Sequence, residues 1–254
     1  MRPKTILITG ASSGIGAALA RAHAQAYARF GITLLLWGRD DARLQETAEQ
    51  CRAFGAKAVT KSFDVRDAAG FVANLAAADA GTPIDLAIFN AGLGGTIAKG
   101  EFAEAPQVAQ AIAEVNFVAP VAGASALAGA MAKRGRGQIV LVGSISESYP
   151  LPMAPTYAAS KAGLRLFAEA LGLRMKKFGV MVTLVSPGFI DTPMSRQVTE
   201  PKPFLMDADK AARIIARDIA LGARVIVVPW QIRVLRGVTE LLPRRLVRWV
   251  MSRV

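Results

Sequence analysis

Tyr157 and Lys161 stand four residues apart in the stretch Thr156-Tyr157-Ala158-Ala159-Ser160-Lys161-Ala162-Gly163. In a helix, residues at i and i+4 share one face, so the phenol and the ammonium point the same way. A phenol is a weak acid near neutrality, with a reference pKa of about 10. A neighbouring positive charge favours the phenolate and lowers that value. Such a pair can hand a proton to a carbonyl oxygen or take one from an alcohol. Alone, the spacing is equally that of a surface pair on an amphipathic helix. The rest of the chain has to decide.

The elements that would position this pair follow a regular alternation. Lys4-Thr5-Ile6-Leu7-Ile8-Thr9 reads as a buried strand and runs into Gly10-Ala11-Ser12-Ser13-Gly14-Ile15-Gly16. An alanine-rich helix follows, with Ile15, Leu19, Ala22, Ala26 and Phe30 on one stripe. Strand, glycine turn and helix is the setting of a dinucleotide-binding turn. Its glycines admit a pyrophosphate close to the backbone, and the helix start offers free N–H groups and partial positive charge. The spacing here is G-x-x-x-G-x-G.

The second strand, Ile32 to Trp37, ends in Gly38-Arg39-Asp40-Asp41. An acid at this strand end would hold ribose hydroxyls in an NAD site. Gly38 stands there instead and Arg39 follows, which suits the 2′-phosphate of NADP. Arg43 is a second candidate for the same phosphate.

Further strands are expected at 58–63, closed by Asp64-Val65, and at 84–89, closed by Asn90-Ala91-Gly92. Two more are expected at 138–142, closed by Gly143-Ser144, and at 180–185, running into Ser186-Pro187-Gly188-Phe189-Ile190-Asp191-Thr192. The last is expected at 225–228. Helices are expected over about 41–54, from 66–67 onward, over 106–133, from Tyr157 to about 178, and over 207–221. Asn116 interrupts the apolar face of the 106–133 helix, where a buried amide must be hydrogen-bonded. Alternating strands and helices predict one Rossmann-like, doubly wound α/β domain, a seven-stranded parallel sheet with helices on both faces. In such sheets ligands gather at the carboxyl ends of the strands, where every polar motif above lies.

Composition narrows the classes. Of the 254 residues, 52% are hydrophobic, which excludes a disordered chain. Cys51 is the only cysteine and has no intramolecular partner, so a reducing, cytoplasmic setting is expected. No signal-like segment opens the chain, and no uninterrupted apolar run reaches the length of a membrane span. The formal charge is +12, and half of the excess falls from Arg224 onward, where seven arginines face the single acid Glu240. No helix-turn-helix, finger or aromatic-basic motif for nucleic acid is present, so no nucleic-acid partner is expected. His23 lies beside an apolar stripe with no second ligand nearby, and no metal site is expected.

Taken together, these motifs resemble the short-chain dehydrogenases/reductases. The resemblance rests on Thr9 to Gly16, Asp64, Asn90-Ala91-Gly92, Asn116, Ser144, Tyr157 with Lys161, and Pro187-Gly188 with Thr192. It covers the chain to about Pro229. It implies an oxidoreductase in which Tyr157 is the general acid/base. Lys161 would lower its pKa and hold the nicotinamide ribose. Ser144 would orient the substrate oxygen, and Asn116 would hold a water linking Lys161 to solvent. The cofactor would rest on Gly10, Ser12, Ser13, Gly14, Ile15, Gly16, Asp64, Val65, Asn90, Ala91, Gly92, Pro187, Gly188, Ile190 and Thr192. Ser13 stands where some NADP-preferring members carry a basic residue, so the expected preference for NADP(H) over NAD(H) rests on Arg39 and Arg43.

The substrate, a carbonyl compound or alcohol of apolar character, is expected against Ser144, Ile145, Glu147, Met153, Tyr157, Phe189 and Met194. Residues 194–206 resemble the family's substrate lid. Glu147 is the one acid among these positions, read either as solvated or as selecting a cationic or hydroxylated group. Residues 230–254 form a basic amphipathic extension. It is read as packing on its own domain or a partner subunit, or as peripheral contact with an anionic membrane. The helices at 106–133 and 154–178 resemble those that pair in family dimers and tetramers, so a homo-oligomer is expected. The alternative function is a cofactor-binding sensor without turnover, which would have no use for a proton relay.

Overall fold

The computed structural model describes residues 2–198, 201–240, 242 and 245. Seven strands form one parallel sheet in the order β3-β2-β1-β4-β5-β6-β7. They are β1 (Thr5–Thr9), β2 (Thr33–Gly38), β3 (Lys57–Ser62), β4 (Leu86–Phe89), β5 (Gly137–Val142), β6 (Val180–Pro187) and β7 (Val225–Val228). Between them run α1 (Gly14–Tyr27), α2 (Asp41–Ala53), α3 (Ala68–Gly81), α4 (Pro106–Ala113), α5 (Ala119–Arg134), α6 (Pro155–Met175), α7 (Pro193–Arg196) and α8 (Ala208–Ala220). A last helix, α9 (Trp230–Glu240), follows β7. The expected fold class is the observed one. Strand ends differ from the sequence reading by one or two residues, as at β4, which starts at Leu86.

Strand alternation divides the core. Ile6 and Ile8 belong to one buried cluster with Leu19, Leu34, Leu36 and Ile215. Leu7 belongs to the opposite cluster with Phe71, Leu127, Leu141 and Leu164. Both faces are covered, so the central strands are apolar on each side. Every loop at the carboxyl end of the sheet is thereby held on a rigid base. The strand order reverses between β1 and β4, which opens a crevice above that pair.

Two local features depart from the sequence reading. The 106–133 helix is not uniform: a π turn, Glu114–Val118, separates α4 from α5 and carries Asn116. The combined run Pro106–Arg134 is long and apolar enough to cross a membrane, yet half of it is buried in the protein. The lid is not wholly loop, because Thr192 caps the short helix α7 through Ser195 N. Of the basic extension, residues 241, 243, 244 and 246–254, among them Arg244, Arg248 and Trp249, lie outside the described residues.

Candidate active site

The glycine turn is left open where a helix is normally closed. Ser13 precedes α1 and makes no side-chain capping bond, and the first turn holds no acid. By contrast, Asp40, Asp67 and Asp207 cap α2, α3 and α8 through Arg43 N, Gly70 N and Lys210 N. The first N–H groups of α1 are thus unclaimed by side chains, beside the positive end of the helix dipole. A cavity of about 260 Å³ lies there, lined among others by Ser12, Ser13, Gly14, Arg43, Asp191 and Pro193. Of these, Ser12, Ser13, Gly14 and Arg43 fit a phosphate-bearing group.

The turn is held from below. Asn90 Nδ2 donates to the carbonyls of Thr9 (3.2 Å) and Gly10 (3.3 Å). Thr9 Oγ1 accepts from the backbone N–H of Asn90 and of Ala91. Asn90 therefore ties β4 to β1 with its side chain. Gly10 and Gly16 are required by proximity: a Cβ on Gly16 would lie 2.1 Å from the Gly10 carbonyl oxygen. On the outer side, a Cβ on Gly14 would meet Thr192 Cγ2 at 3.2 Å, so the lid base reaches the turn. Ile15 is partly buried against the core and Val65 is buried in it. Asp64 is paired with Arg66 at 2.6 Å, and that guanidinium holds its carboxyl below the usual range. Arg39 is exposed and stands outside the lining of the cavity; Arg43 lines it.

The groups expected to move a proton lie at the ends of β5 and α6. Ser144 begins a short turn, Ile145–Ser148, that packs on α6. The hydroxyls of Ser144 and Ser146 both face the Tyr157 phenol and favour its ionised form. Burial outweighs them and raises the phenol above its ordinary value, and the negative charge of Glu147 pushes the same way. Lys161 is buried, 5.8 Å from the Tyr157 ring centre, and its Nζ donates to the Val142 carbonyl at 2.9 Å. Burial brings this ammonium down to about 8. The last carbonyl of β5 holds the Lys161 ammonium beside the phenol, and Ser144, Glu147 and Ser146 act on the phenol from the turn.

Asn116 closes the site from the π turn. Its Oδ1 accepts from Leu93 N at 2.7 Å, and its Nδ2 donates to Leu93 O at 2.9 Å and to Ser160 Oγ at 3.4 Å. The side chain thereby fixes the loop after β4. Gly92 lies between this amide and Lys161: a Cβ there would sit 3.4 Å from Asn116 Oδ1 and 3.8 Å from Lys161 Nζ.

Three loops border the open side. Met194 reaches over Gly94, where a Cβ would be 3.1 Å from its Cγ. The backbone of Met153 accepts from Ile97 N. Phe189 and Asp191 pair with Met206 through their backbones, and Ile190 is buried beneath. Pro187 and Gly188 are held in register with Val228. Ile145 and Phe189 are partly buried, while Met153 and Met194 are exposed.

Glu147 contradicts its expected place. Its side chain is 0% exposed and is bound inside the protein by Ser186 Oγ and Arg236. It is neither solvated nor turned to a substrate. Arg236 and Ser186 were not read from the sequence as site residues, because partners 89 and 39 positions away leave no local signal.

Comparison with known proteins decides the family. The short chain dehydrogenase family model matches residues 4–203. The chain belongs to the short-chain dehydrogenase family. An uncharacterized oxidoreductase of Myxococcus xanthus is 32% identical over 97% of this chain and 95% of its own length. A putative ketoacyl reductase of Streptomyces coelicolor is 33% identical over 76% of this chain and 73% of its own length. The solved structure of a Sphingobium yanoikuyae short-chain dehydrogenase in complex with NADPH has a TM-score of 0.79 and 26% identity. It covers 94% of this chain and 96% of that one. As a short-chain dehydrogenase/reductase, this enzyme uses a nicotinamide dinucleotide and acts on carbonyl or alcohol groups. When bound, the nicotinamide supplies or accepts the hydride.

Proposed function

We propose that this short-chain dehydrogenase reduces an apolar ketone or aldehyde with NADPH. Tyr157 is the general acid, Ser144 orients the oxygen, and Lys161 holds the nicotinamide ribose. The observation that carries this reading is the placement of Lys161 Nζ 5.8 Å from the Tyr157 ring, on the helix against which the Ser144 turn packs. As negative charge builds on the substrate oxygen, Ser144 and Tyr157 donate to it and the phenol proton follows.

The NADPH preference is supported by Arg43 in the cavity beside Ser12, Ser13 and Gly14. A guanidinium there matches the ribose 2′-phosphate. Arg39 stands nearby at the end of β2 as the second cation. The apolar substrate is supported by Met153, Met194, Phe204 and Leu205, all exposed around the opening. The NADPH complex of the Sphingobium enzyme and the name of the Streptomyces relative agree with this reading.

The test is NADPH consumption against a panel of aldehydes and ketones. Tyr157→Phe is expected to lower kcat at least about a hundredfold. Turnover that survives it refutes the proton donor. Arg43→Ala is expected to raise the KM for NADPH about tenfold and leave NADH nearly unchanged.

A homo-oligomer is proposed from the exposed Leu166 and Leu173 on α6. Peripheral contact with an anionic membrane, from a cytoplasmic location, is proposed for the basic extension from the exposed Trp230 and Val234. Deleting residues 240–254 and measuring mass and liposome sedimentation tests both.

A further inference from the structure

Glu147 and Arg236 form a buried ion pair that the reaction as described leaves unexplained. The carboxylate joins three separate segments. Its Oε2 accepts from Ser144 N at 3.3 Å, within the turn that presents the Ser144 hydroxyl. Its Oε1 accepts from Ser186 Oγ at the end of β6 (2.7 Å) and from Arg236 Nη1 of α9 (2.8 Å). The side chains are 0% and 16% exposed. The same turn is tied to α9 a second time, where the hydroxyls of Tyr149 and Thr239 are bonded. Beside them Ile232 is buried close to Gly188, anchoring the helix.

Burying such a pair is costly, and apolar packing would often hold two segments as well. The placement therefore calls for a reason other than stability, and the reacting groups supply one. The negative charge of Glu147 acts on both Tyr157 and Lys161. The phenol is faced by Ser144, Ser146 and Glu147 from the turn and by Lys161 from its own helix. Glu147 is faced by Ser186 from β6 and Arg236 from α9.

We propose that Arg236, supplied by the C-terminal helix, is a positioning residue of the hydride-transfer site: through Glu147 it fixes the turn that presents Ser144 and cancels the charge beside Tyr157. This rests on the assignment of Tyr157 as proton donor. Without Arg236, an ionised Glu147 would oppose the phenolate and weaken the hold on the Ser144 turn. Without both charges, the electrostatic part of that penalty disappears.

The experiment compares the full-length protein with Arg236→Gln, Arg236→Lys, Glu147→Gln and the Arg236→Gln/Glu147→Gln double variant. The readouts are the pH dependence of kcat/KM with NADPH and a carbonyl compound from the panel and, independently of turnover, the phenolate absorbance titration. Each titration is taken as the difference from the same protein carrying Tyr157→Phe. Arg236→Gln is expected to move the phenol titration and the alkaline limb of kcat/KM up by about one pH unit. Arg236→Lys is expected to keep the phenol titration within about 0.3 unit, and the double variant to return to it. A folded Arg236→Gln protein with an unmoved titration overturns the proposal. So does a double variant that stays shifted, which would mean that Arg236 serves packing alone. If Arg236→Gln does not fold, the lysine and double variants decide: either one departing from the parent titration overturns the proposal. Failure of the Tyr157 assignment is seen separately, as turnover surviving Tyr157→Phe with the titrations unaffected.

Discussion

The two halves of the sheet build their loop ends by opposite means. Around β1, α1 and β4 the site is made of backbone: an uncapped helix start, glycines at near-contact distances, and Asn90 and Thr9 bonding main-chain groups. Around β5, α6 and α9 it is made of buried polar and charged side chains, with Lys161 on a carbonyl and Glu147 between Ser186 and Arg236. A backbone site recognises charge and shape and tolerates varied side chains. A side-chain site sets proton affinity, which requires burial and specific partners. The difference separates a generic task, holding a dinucleotide, from a specific one, moving a proton.

The comparison can be broken most severely at Gly16. Gly16→Val would drive a side chain into the Gly10 carbonyl, 2.1 Å from its Cβ. Thermal unfolding is expected to fall by more than about 10 °C, or soluble protein to be lost. A stable variant that still binds NADPH would show that the turn is not the rigid backbone frame described.

A second test uses pH. His23 on α1 is buried, with its Nδ1 bonded to Leu19 O, and burial takes its imidazole from 6.5 to about 4. The folded state therefore binds fewer protons than the unfolded chain between those values. Stability contributed by the neutral ring is full above pH 6.5 and falls as pH drops toward 4, by about 3 kcal/mol at the limit. His23→Leu is expected to lose less stability than the parent over that window, read as the difference in melting temperature at pH 7 and pH 4.5. A constant difference would remove the assigned burial cost.

The smallest expected effect is the most diagnostic. Ser13→Asp would give α1 the acid cap that α2, α3 and α8 already have. Stability is expected to rise by about 0.5–1 kcal/mol, while NADPH binding weakens roughly tenfold. If binding holds and stability rises, the open helix start is not the phosphate site.

The cofactor half was legible because its signals are local. Glycines within seven residues and strand-turn-helix periodicity state the backbone conformation directly, and Tyr157 with Lys161 needs only one helix. Misreadings fell where partners are distant. Glu147 was placed toward solvent or substrate, yet Arg236, 89 positions on, holds it inside. The 106–133 periodicity gave a helix but not the π turn that swings Asn116 onto Leu93.

By itself the sequence determined the sheet, the helix order and the set of reactive groups, because apolar period and turn chemistry act over a few residues. Only the tertiary structure decided which acceptor each buried charge takes. That choice depends on which segments the packed core brings together, and on the price of burying a charge without a partner.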